Sequence, residues 1–589
     1  MHLVLLVGSF RSVVPEGSND PIGSQGGFVD TLAPAPYSLA NAYLKAFVEA
    51  DDDLRARFDV RLLNLAEPLE LEDDREEVTL SSEDIDRIVA LNPSIIGFST
   101  YCWNLDAILE ASVELEARLP EVRIVLGGRT SAADAREILS RFPSVDAVVV
   151  GEGELPFRDI LRTGSFEGIS GVYARSGAEI RCGGPPRSVQ RLDEIPSPWL
   201  AGILSPVKNA VMMELSRGCL HACGYCSWNS DKQLRYFSAE RIEDELRWVV
   251  EHGHEHVTIN DSALNYDTER LEAFVQAVHS ADPSGQIRFT YNIRHDALTD
   301  AQLRTLSKLP THMVLLGVET LSARGMSQVD RAPVDVQALR TRLDALSHAV
   351  RPPVASIVLG LPEDDETSFL ETLDKLMSWT EPGPDGVPTV GTVLVSLLQV
   401  YRGSKLWDRR EALGLSFEQR GIPYLHESPT WPAASLARCK AELVRRIRKD
   451  PERLKAAEAL ALMQQRGGVP PWLSRRVLGI VLREWPEGVT HDGWLLERIG
   501  WMRDTGQGAL VRFGWKDGGR ARVRITLDER AVRDGRPGRY RVGVHPLPGP
   551  KMPEASLARL AKLVEAVVRG GEHRAAAFLA ERRRRAVTD

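Results

Sequence analysis

Short apolar runs alternate with amphipathic segments through the first 165 residues of the chain. Helical patterns such as Asp84–Leu91 and Asp106–Leu119 separate runs that have the length of buried strands. This alternation predicts an α/β domain: a doubly wound, Rossmann-like parallel sheet with helices on both faces. The predicted strands are Leu3–Val7, Val60–Leu65, Ser94–Ser99, Arg123–Leu126 and Ala147–Val150.

A second series of strand and helix patterns runs from about 206 to 400, after a predicted linker at 166–205. Six repeats of this kind predict a partial (β/α)6 barrel, in which catalytic groups gather at the carboxyl ends of the strands. The predicted strands are Val211–Leu215, His256–Asn260, Ile287–Asn292, His312–Gly317, Ala355–Leu359 and Thr392–Leu398.

The last part of the chain, 401–589, has a different pattern. Arginine- and alanine-rich helices are predicted at 433–465 and 555–585, and three alternating apolar and polar runs lie between them. We expect a small α+β appendage, with a role in substrate binding or an accessory role. Its predicted strands are Ala509–Trp515, Arg522–Leu527 and Arg539–Val544.

Composition narrows the class of protein without naming an activity. The 589 residues carry a net charge of −9, which argues against a general nucleic-acid binder. No run approaches the length of a membrane span, and the apolar start Met1–Gly8 is too short for a signal peptide. Six cysteines form no disulfide framework, so we expect a protein of the reducing cytoplasm.

Small and polar residues follow the predicted strands of the first domain. In parallel sheets, ligands bind beyond the carboxyl ends of the strands, and small residues there let a bulky ligand approach the backbone. The long Gly-, Pro- and Ser-rich segment 9–36 is expected to lie over such a ligand. The candidate binding residues are Ser99, Thr100, Tyr101, Trp103, Asn104, Gly127, Gly128, Gly151, Glu152, Gly153 and Glu154.

Three clustered cysteines, Cys219, Cys223 and Cys226, carry the most specific chemistry in the chain. A structural zinc ion takes four ligands, usually from two separated Cys pairs, and the other three cysteines are isolated. A zinc knuckle with His221 as fourth ligand is the alternative, but His221 lies inside the same short loop. A cubane iron–sulfur cluster held by three cysteines instead keeps one iron free for a small molecule.

The spacing C-x3-C-x2-C, with Tyr225 just before the last cysteine, resembles the signature of radical S-adenosylmethionine (SAM) enzymes. The resemblance implies a 4Fe–4S cluster on Cys219, Cys223 and Cys226 whose open iron chelates SAM. Reductive cleavage of SAM then gives a 5′-deoxyadenosyl radical. It also implies a low-potential electron donor such as flavodoxin or ferredoxin.

The same resemblance extends to the predicted strand ends of the barrel. Gly317 and Glu319 fit the family's motif for the SAM ammonium group, and Tyr225 would lie near the adenine, which Gly360 and Pro362 would support. Arg294 is a candidate for the SAM carboxylate because a guanidinium matches that group. A structural salt bridge of Arg294 with Asp296 or Asp261 is the alternative.

The first domain resembles the cobalamin-binding domain that precedes many radical SAM domains, and the linker at 192–199 resembles that group as well. No histidine occurs between His2 and His221, so a histidine ligand to cobalt is excluded within this domain unless His2 serves. The lower face of the corrin would then be open, water-bound or covered by a side chain such as Tyr101 or Trp103.

Taken together, the chain resembles the cobalamin-dependent, class B radical SAM enzymes. The resemblance implies a methyltransferase that uses methylcobalamin and the deoxyadenosyl radical to methylate an unactivated carbon of a small-molecule or peptide natural-product intermediate. A rearrangement, oxidation or cyclisation without methyl transfer is the alternative, and a non-catalytic cobalamin or iron–sulfur sensor is a further one. The sequence does not identify the substrate.

Overall fold

The computed structural model divides the chain into two compact units, residues 1–67 with 79–461 and residues 68–78 with 462–589. The structure describes residues 2–11, 38–67, 69–72, 75–78, 80, 82–177, 179–204, 211–226, 228, 232–418, 422–450, 453–456, 490–491, 494–501, 508–515, 520–527 and 540–546. Residues 12–37 of the predicted covering segment and the predicted helix at 555–585 therefore lie outside the described residues. In the described part of the chain, no helix is long and apolar enough to span a membrane.

The N-terminal domain is a mixed seven-stranded sheet with the order β2-β1-β5-β6-β7-β8-β9. The first five strands in this order are parallel, and β8 and β9 are antiparallel. The strands of this part of the chain are β1 His2–Arg11, β2 Phe58–Glu67, β3 Leu69–Glu72, β4 Arg75–Val78, β5 Ile95–Ser99, β6 Arg123–Gly127, β7 Ala147–Val149, β8 Val172–Ser176 and β9 Glu179–Cys182. β3 and β4 pair with each other in a separate hairpin and are not part of the seven-stranded sheet. The helices are α1 Leu39–Glu49, α2 Asp52–Arg57, α3 Ser82–Leu91, α4 Leu105–Arg118, α5 Arg129–Ala133, α6 Ala135–Arg141 and α7 Glu154–Thr163.

Both faces of this sheet are buried, which confirms the predicted doubly wound arrangement. Along β1, Leu5 and Val7 join a core that includes Ile108 of α4, whereas Val4 and Leu6 join a second core on the opposite face. Burial on both faces explains why the strands read as continuous apolar runs. The segment predicted as a linker contributes β8 and β9 to the sheet, so the sheet extends past residue 165.

The strand order places a topological switch point beside β1. β1 pairs with β2 on one side and with β5 on the other, so the chain winds in opposite directions from this strand. The crevice at such a point is the usual ligand site of an open α/β sheet. The loop after β5, which begins at Thr100, lies at that crevice.

The second domain is a parallel sheet with the order β10-β13-β14-β15-β16-β17-β20, an open barrel with helices between its strands. The strands of this part of the chain are β10 Val211–Met213, β11 Ser216–Arg217, β12 Arg235–Tyr236, β13 His256–Ile259, β14 Arg288–Ile293, β15 Thr311–Glu319, β16 Val354–Leu359, β17 Thr392–Leu397, β18 Ser416–Phe417, β19 Leu425–Glu427 and β20 Leu454–Ala456. The helices are α8 Ala239–Glu251, α9 Thr268–Ala281, α10 Asp300–Leu306, α11 Ala323–Gln328, α12 Val336–Ala349, α13 Glu366–Ser378, α14 Lys405–Asp408 and α15 Ala433–Lys449, with 3-10 turns at Leu192–Glu194 and His295–Ala297.

The six predicted barrel strands are present, and β20 adds a short seventh. β20 lies inside the segment predicted as a helix at 433–465, so the helix ends at Lys449 and that prediction is wrong for Leu454–Ala456, while 457–465 lie outside the described residues. The physical reason is Pro451, because the residue before a proline is pushed out of the helical region. Asp450 accordingly has a φ of −145°.

The second unit contains a five-stranded antiparallel sheet and the β3–β4 hairpin. Its strands are β21 Thr490–His491, β22 Trp494–Trp501, β23 Gly508–Trp515, β24 Arg520–Leu527 and β25 Tyr540–Pro546. The three predicted strands are present, and β21 and β22 are additional. The hairpin residues lie between β2 and α3 in sequence, so this unit is assembled from two separate parts of the chain.

Candidate functional site: two cofactor edges in one unit

The three clustered cysteines lie in the loop between β11 and β12, which pair as an antiparallel hairpin. Cys219 and Cys223 are each 8% exposed. Gly218 begins the loop with a φ of +101°, and a Cβ there would lie 2.4 Å from the carbonyl oxygen of Gln233. Only glycine fits this turn, so the loop conformation is set by the sequence immediately before the first cysteine.

The middle of the cysteine loop is fixed by its backbone. Gly224 N donates to the carbonyl of Val329 at 2.9 Å, and Leu406 N donates to the carbonyl of Gly224 at 2.9 Å. These bonds tie the loop to the segment after α11 and to α14. The cysteines are thus held before any ligand binds.

Polar groups of the described residues contact each of the three cysteine sulfurs. Tyr266 Oη lies 3.2 Å from Cys219 Sγ, Trp228 N donates to Cys226 Sγ at 3.3 Å, and Arg294 Nη1 lies 3.9 Å from Cys223 Sγ. Hydrogen bonds and charge around the sulfurs are what tune an iron–sulfur cluster. Sequence reasoning missed Tyr266, which is far from the cysteines in the chain and belongs to no motif.

The donor set fits a cluster better than a single ion. Among the described residues, no group of three or more His, Cys, Asp or Glu side chains is arranged around one metal ion, and His221 does not complete such a group. The cysteines of a cubane cluster bind separate iron atoms and need not converge on one point. Burial raises the pKa of Cys226 to about 11, so assembly of a cluster must displace a proton there.

Glu319 and Gly317 lie at the carboxyl end of β15, beside the cysteine loop. Glu319 is buried and accepts a hydrogen bond from Arg331 Nη1 at 2.8 Å. The same guanidinium donates to the carbonyl of Gly317 at 3.1 Å and to Tyr225 Oη at 3.4 Å. The structure therefore brings together three of the residues predicted for SAM, around an arginine that sequence reasoning missed.

The position of the Glu319 carboxylate requires a glycine at residue 317. A Cβ at Gly317 would lie 2.0 Å from Glu319 Oε1, so the carboxylate occupies the space that a side chain would need. Glu319 itself has a φ of +64°, and the register of β15 against β16 shifts between these two residues. Strained backbone of this kind is concentrated at functional sites.

Burial also affects the other groups around Arg331. The pKa of Tyr225 is raised well above its ordinary value, first by burial and then by Glu319, so the phenol stays neutral. Burial alone would lower the pKa of Arg331, but Glu319 raises it, and the guanidinium stays charged. A charged arginine and a carboxylate together match the two charged groups at the amino-acid end of SAM.

Arg294 is held by a salt bridge to Asp296 and also reaches Cys223. The alternative given for Arg294 in the sequence analysis is therefore present in the structure. Gly360 follows β16 with a φ of +104°, and a Cβ there would meet Leu425 Cδ2 at 2.9 Å. The turn that contains Gly360 and Pro362 is fixed by buried Trp431, whose Nε1 donates to the carbonyl of Leu361 at 2.9 Å.

The loop after β5 is built by two fully buried residues. Thr100 N and Oγ1 donate to the carbonyl of Gly127 at 2.7 and 2.8 Å. Asn104 Oδ1 accepts from Tyr101 N at 2.7 Å, and its Nδ2 donates to the carbonyl of Ser99 at 3.1 Å. Because these polar side chains form hydrogen bonds within the loop, its aromatic side chains are available to contact a ligand.

Those aromatic residues are Tyr101 and Trp103, whose rings stack with 4.4 Å between centroids and 3° between planes. Trp103 Nε1 is buried without a hydrogen-bond partner among the described residues. Next to them, a Cβ at Gly127 would meet nothing within 4 Å, whereas one at Gly128 would lie 2.3 Å from the carbonyl oxygen of Thr100. A flat ring pair, an unmatched donor and open space at a strand end fit a large planar ligand.

A small cavity of about 30 Å³ lies where this edge meets the barrel. Cys102 and Thr130 line it from the N-terminal domain, and Arg402, Trp407 and Phe417 line it from the barrel side. Sequence reasoning assigned no role to these barrel residues. The cavity marks the place where residues of the two domains face each other.

The Gly151–Glu154 turn has a different setting from the loop after β5. Glu152 pairs with Arg235, and Glu154 Oε1 lies 2.8 Å from Arg217 Nη1. Gly151 has a φ of +87°, and Gly153 packs against Leu44. The two carboxylates are thus engaged by the hairpin that carries the cysteine loop, while their predicted role toward cobalamin stays a prediction.

Comparison with known families agrees with this arrangement. Residues 29–161 match the B12 binding domain, and residues 213–376 match the radical SAM superfamily. The chain joins a B12-binding domain to a radical SAM domain. The predicted cofactors, cobalamin, a 4Fe–4S cluster and SAM, are confirmed at the level of these domains.

Individual relatives are methyltransferases or methylases by name, and the name of one includes both cofactors. The chain is 26% identical over 364 residues to the cobalamin-dependent radical SAM methyltransferase TokK of Streptomyces tokunonensis, covering 58% of this chain and 51% of TokK. It is 25% identical over 405 residues to the hopanoid C-3 methylase of Methylococcus capsulatus, covering 64% of this chain and 70% of that protein.

Among solved structures, the radical SAM methyltransferase TsrM from Kitasatospora setae resembles this fold with a TM-score of 0.56 and 14% identity, covering 78% of this chain and 92% of TsrM. At that identity the likeness concerns the fold alone. The chain spans about half the length of curated relatives such as TokK. The cofactor roles of individual residues therefore stay predictions.

Proposed function

We propose that the protein is a cobalamin-dependent radical SAM methyltransferase that acts on an unactivated carbon of a small-molecule or peptide natural-product intermediate. The observation that carries this proposal is the direct contact between the ligand edge of the B12-binding domain and the hairpin of the cysteine loop. Arg129, which follows Gly128, also lies over the ring of Trp228 at 5.9 Å. A reaction that uses both cofactors on one carbon needs them close together.

When bound, the cluster and SAM supply the radical that removes a hydrogen atom, and cobalamin supplies the methyl group. The chain's own contribution is binding and orientation. Cys219, Cys223 and Cys226 hold the cluster, and Arg331 with Glu319 meets the charged end of SAM. Burial of these groups excludes water and strengthens each ionic contact.

At the other edge, the absence of any histidine between His2 and His221 supports a cobalt without a histidine ligand. We propose that the stacked rings of Tyr101 and Trp103 would contact the corrin. Trp103 Nε1 is a hydrogen-bond donor only and offers no lone pair to a metal.

Product mass is the decisive test. The reconstituted protein, reduced by dithionite or by a flavodoxin or ferredoxin, is incubated with SAM and candidate substrates. A gain of one methylene unit, with both S-adenosylhomocysteine and 5′-deoxyadenosine formed, is expected. A product of unchanged or lower mass would replace methylation by rearrangement, oxidation or cyclisation, and the absence of both SAM products would favour a sensor.

Replacement of Cys219, Cys223 and Cys226 by alanine separates the two cofactors. We expect this variant to lose reductive cleavage of SAM but to keep cobalamin, because the corrin edge lies in a different sheet. Cobalamin content is measured from the visible spectrum of the purified protein. Retained SAM cleavage in the variant would contradict the assignment of the cluster.

A further inference from the structure

We propose that a buried ionic cluster, formed by Glu152, Glu154, Glu214, Arg217 and Arg235, fixes the spacing between the two cofactors. We call these five residues the interdomain latch. The inference rests on the proposed function, since it concerns how cobalamin and the iron–sulfur cluster are held for one reaction. The five residues are positioning residues: they act by holding the two domains together.

Arg217 is the centre of the latch. Its Nη1 lies 2.8 Å from Glu154 Oε1 and 3.6 Å from Glu152 Oε2, and its Nε lies 3.0 Å from Glu214 Oε2. Two of these carboxylates belong to the B12-binding domain and one to the end of the first barrel strand. The guanidinium also lies over the ring of Tyr43 in α1, at 5.0 Å. One side chain therefore joins three elements of two domains.

Arg235 forms the second half of the latch. It pairs with Glu152 through both carboxylate oxygens and donates to the carbonyl of Val189 at 2.5 Å. The Arg235 side chain is 4% exposed and that of Glu152 is 22% exposed, so the pair is largely shielded from solvent. A two-pronged arginine–carboxylate contact of this kind fixes orientation as well as distance.

The two arginines stand directly opposite each other in the β11–β12 hairpin. Like charges at paired positions are unfavourable, and buried charges without partners are strongly so. Glu152 and Glu154 of the other domain supply opposite charge that offsets this repulsion. The geometry of the cysteine loop, which begins at Gly218 directly after Arg217, is thereby linked to docking of the B12-binding domain.

Holding five charges in a cluster largely shielded from solvent is a poor way to gain stability but a good way to fix one position. An apolar contact would allow the two domains to slide against each other, whereas the ion pairs of the latch form in only one relative position of the domains. This explains why the Gly151–Glu154 turn carries carboxylates at an edge where a neutral corrin would not need them.

The test is the magnetic interaction between cob(II)alamin and the reduced cluster, measured by pulsed electron paramagnetic resonance in the full-length holoenzyme. Wild type is expected to show one well-defined coupling. Glu152→Gln, Glu154→Gln and the double variant keep side-chain shape but remove charge, and we expect their coupling to broaden and weaken. Arg235→Lys is expected to retain more of the coupling than Arg235→Met.

The matched control is Glu179→Gln, which removes a carboxylate from an exposed ion pair with Arg181 in the same domain. It should leave the coupling unchanged. If the wild type forms methylated product, the glutamine variants should also make at least tenfold more 5′-deoxyadenosine per methylated product. Iron and cobalamin content, measured on every sample, should match the wild type.

Two results would overturn the latch. One is a double variant that holds both cofactors with wild-type coupling and product ratio. The other is loss of cobalamin from Glu152→Gln or Glu154→Gln with iron retained, which would make the glutamates direct ligands of the corrin domain. A wild type that makes no methylated product would contradict the proposed function, while the spin coupling would still decide the latch.

Discussion

Glycine occurs at the strand ends of both sites, but for different physical reasons. Gly317 leaves room for a carboxylate, Gly128 adopts a left-handed backbone against Thr100, and Gly127 has open space before it. A motif in the sequence does not distinguish these cases. The structure distinguishes them, and each case predicts a different effect of replacing the glycine by alanine.

Gly317→Ala is expected to weaken SAM binding by about tenfold or more. The new Cβ would displace the Glu319 carboxylate from Arg331, and disturbing one partner of a buried charge pair costs about 2–5 kcal/mol. Equilibrium binding to the reconstituted protein measures the effect. Glu319→Gln is the matched control, because it removes the charge of the carboxylate without a steric change. Unchanged SAM binding in both variants would show that Glu319 does not contact SAM.

Gly127→Ala and Gly128→Ala form a matched pair at the corrin edge. Gly128→Ala is expected to lower the free energy of unfolding by about 1–3 kcal/mol because of its backbone conformation and its clash with Thr100. Gly127→Ala should fold normally yet lose cobalamin affinity, since only a ligand would meet its methyl group. Chemical denaturation and cobalamin titration measure the two effects. Normal cobalamin affinity in Gly127→Ala would show that the corrin binds at another edge of the sheet.

Tyr266→Phe tests the hydroxyl that lies in contact with Cys219 Sγ. Loss of a hydrogen bond to a cluster thiolate makes reduction harder, so the midpoint potential should fall. A bond of about 1 kcal/mol corresponds to roughly 40 mV for a one-electron couple. A redox titration followed by electron paramagnetic resonance gives the value; an unchanged potential would mean that Tyr266 turns away once the cluster is bound.

Among strands and helices, the sequence predicts the parallel sheets well because strands buried on both faces are continuous apolar runs. The cysteine motif is equally visible. Arg331 was not predictable, since it lies in a loop after α11 and reaches Glu319 only through the register shift in β15. Arg217 and Arg235 read as ordinary surface charges, because nothing in a single sequence says that another domain covers them.

The barrel strand β13 begins with a half-buried histidine, His256, whose charge state is predictable. Burial first, and then the nearby His312, lowers the pKa of His256 from 6.5 to about 4. The unfolded chain therefore takes up the proton first, and the free energy of unfolding falls as the pH drops from 6.5 toward 4. His256→Gln should show a shallower decline in urea unfolding across this range; an equal decline would mean that His256 is protonated in the folded state.

For the molecule as a whole, the divided second unit predicts how truncation behaves. A chain ending at 461 keeps the β3–β4 hairpin without the rest of its unit, and an isolated hairpin is marginal in water. Replacing 68–78 by a short Gly-Ser linker in that truncated chain should reduce aggregation. Size-exclusion chromatography compares the two forms, and equal behaviour would show that the hairpin is tolerated without its unit.

The divided unit also constrains the order in which the chain can fold during synthesis. The hairpin leaves the ribosome with the B12-binding domain, whereas strands β21–β25 follow more than four hundred residues later. Because translation adds about 5–20 residues per second, tens of seconds pass between synthesis of the hairpin and synthesis of the strands in the same unit. The acidic composition of the hairpin keeps it hydrated during that delay. The two cofactor domains can therefore fold before the hairpin pairs with the rest of its unit.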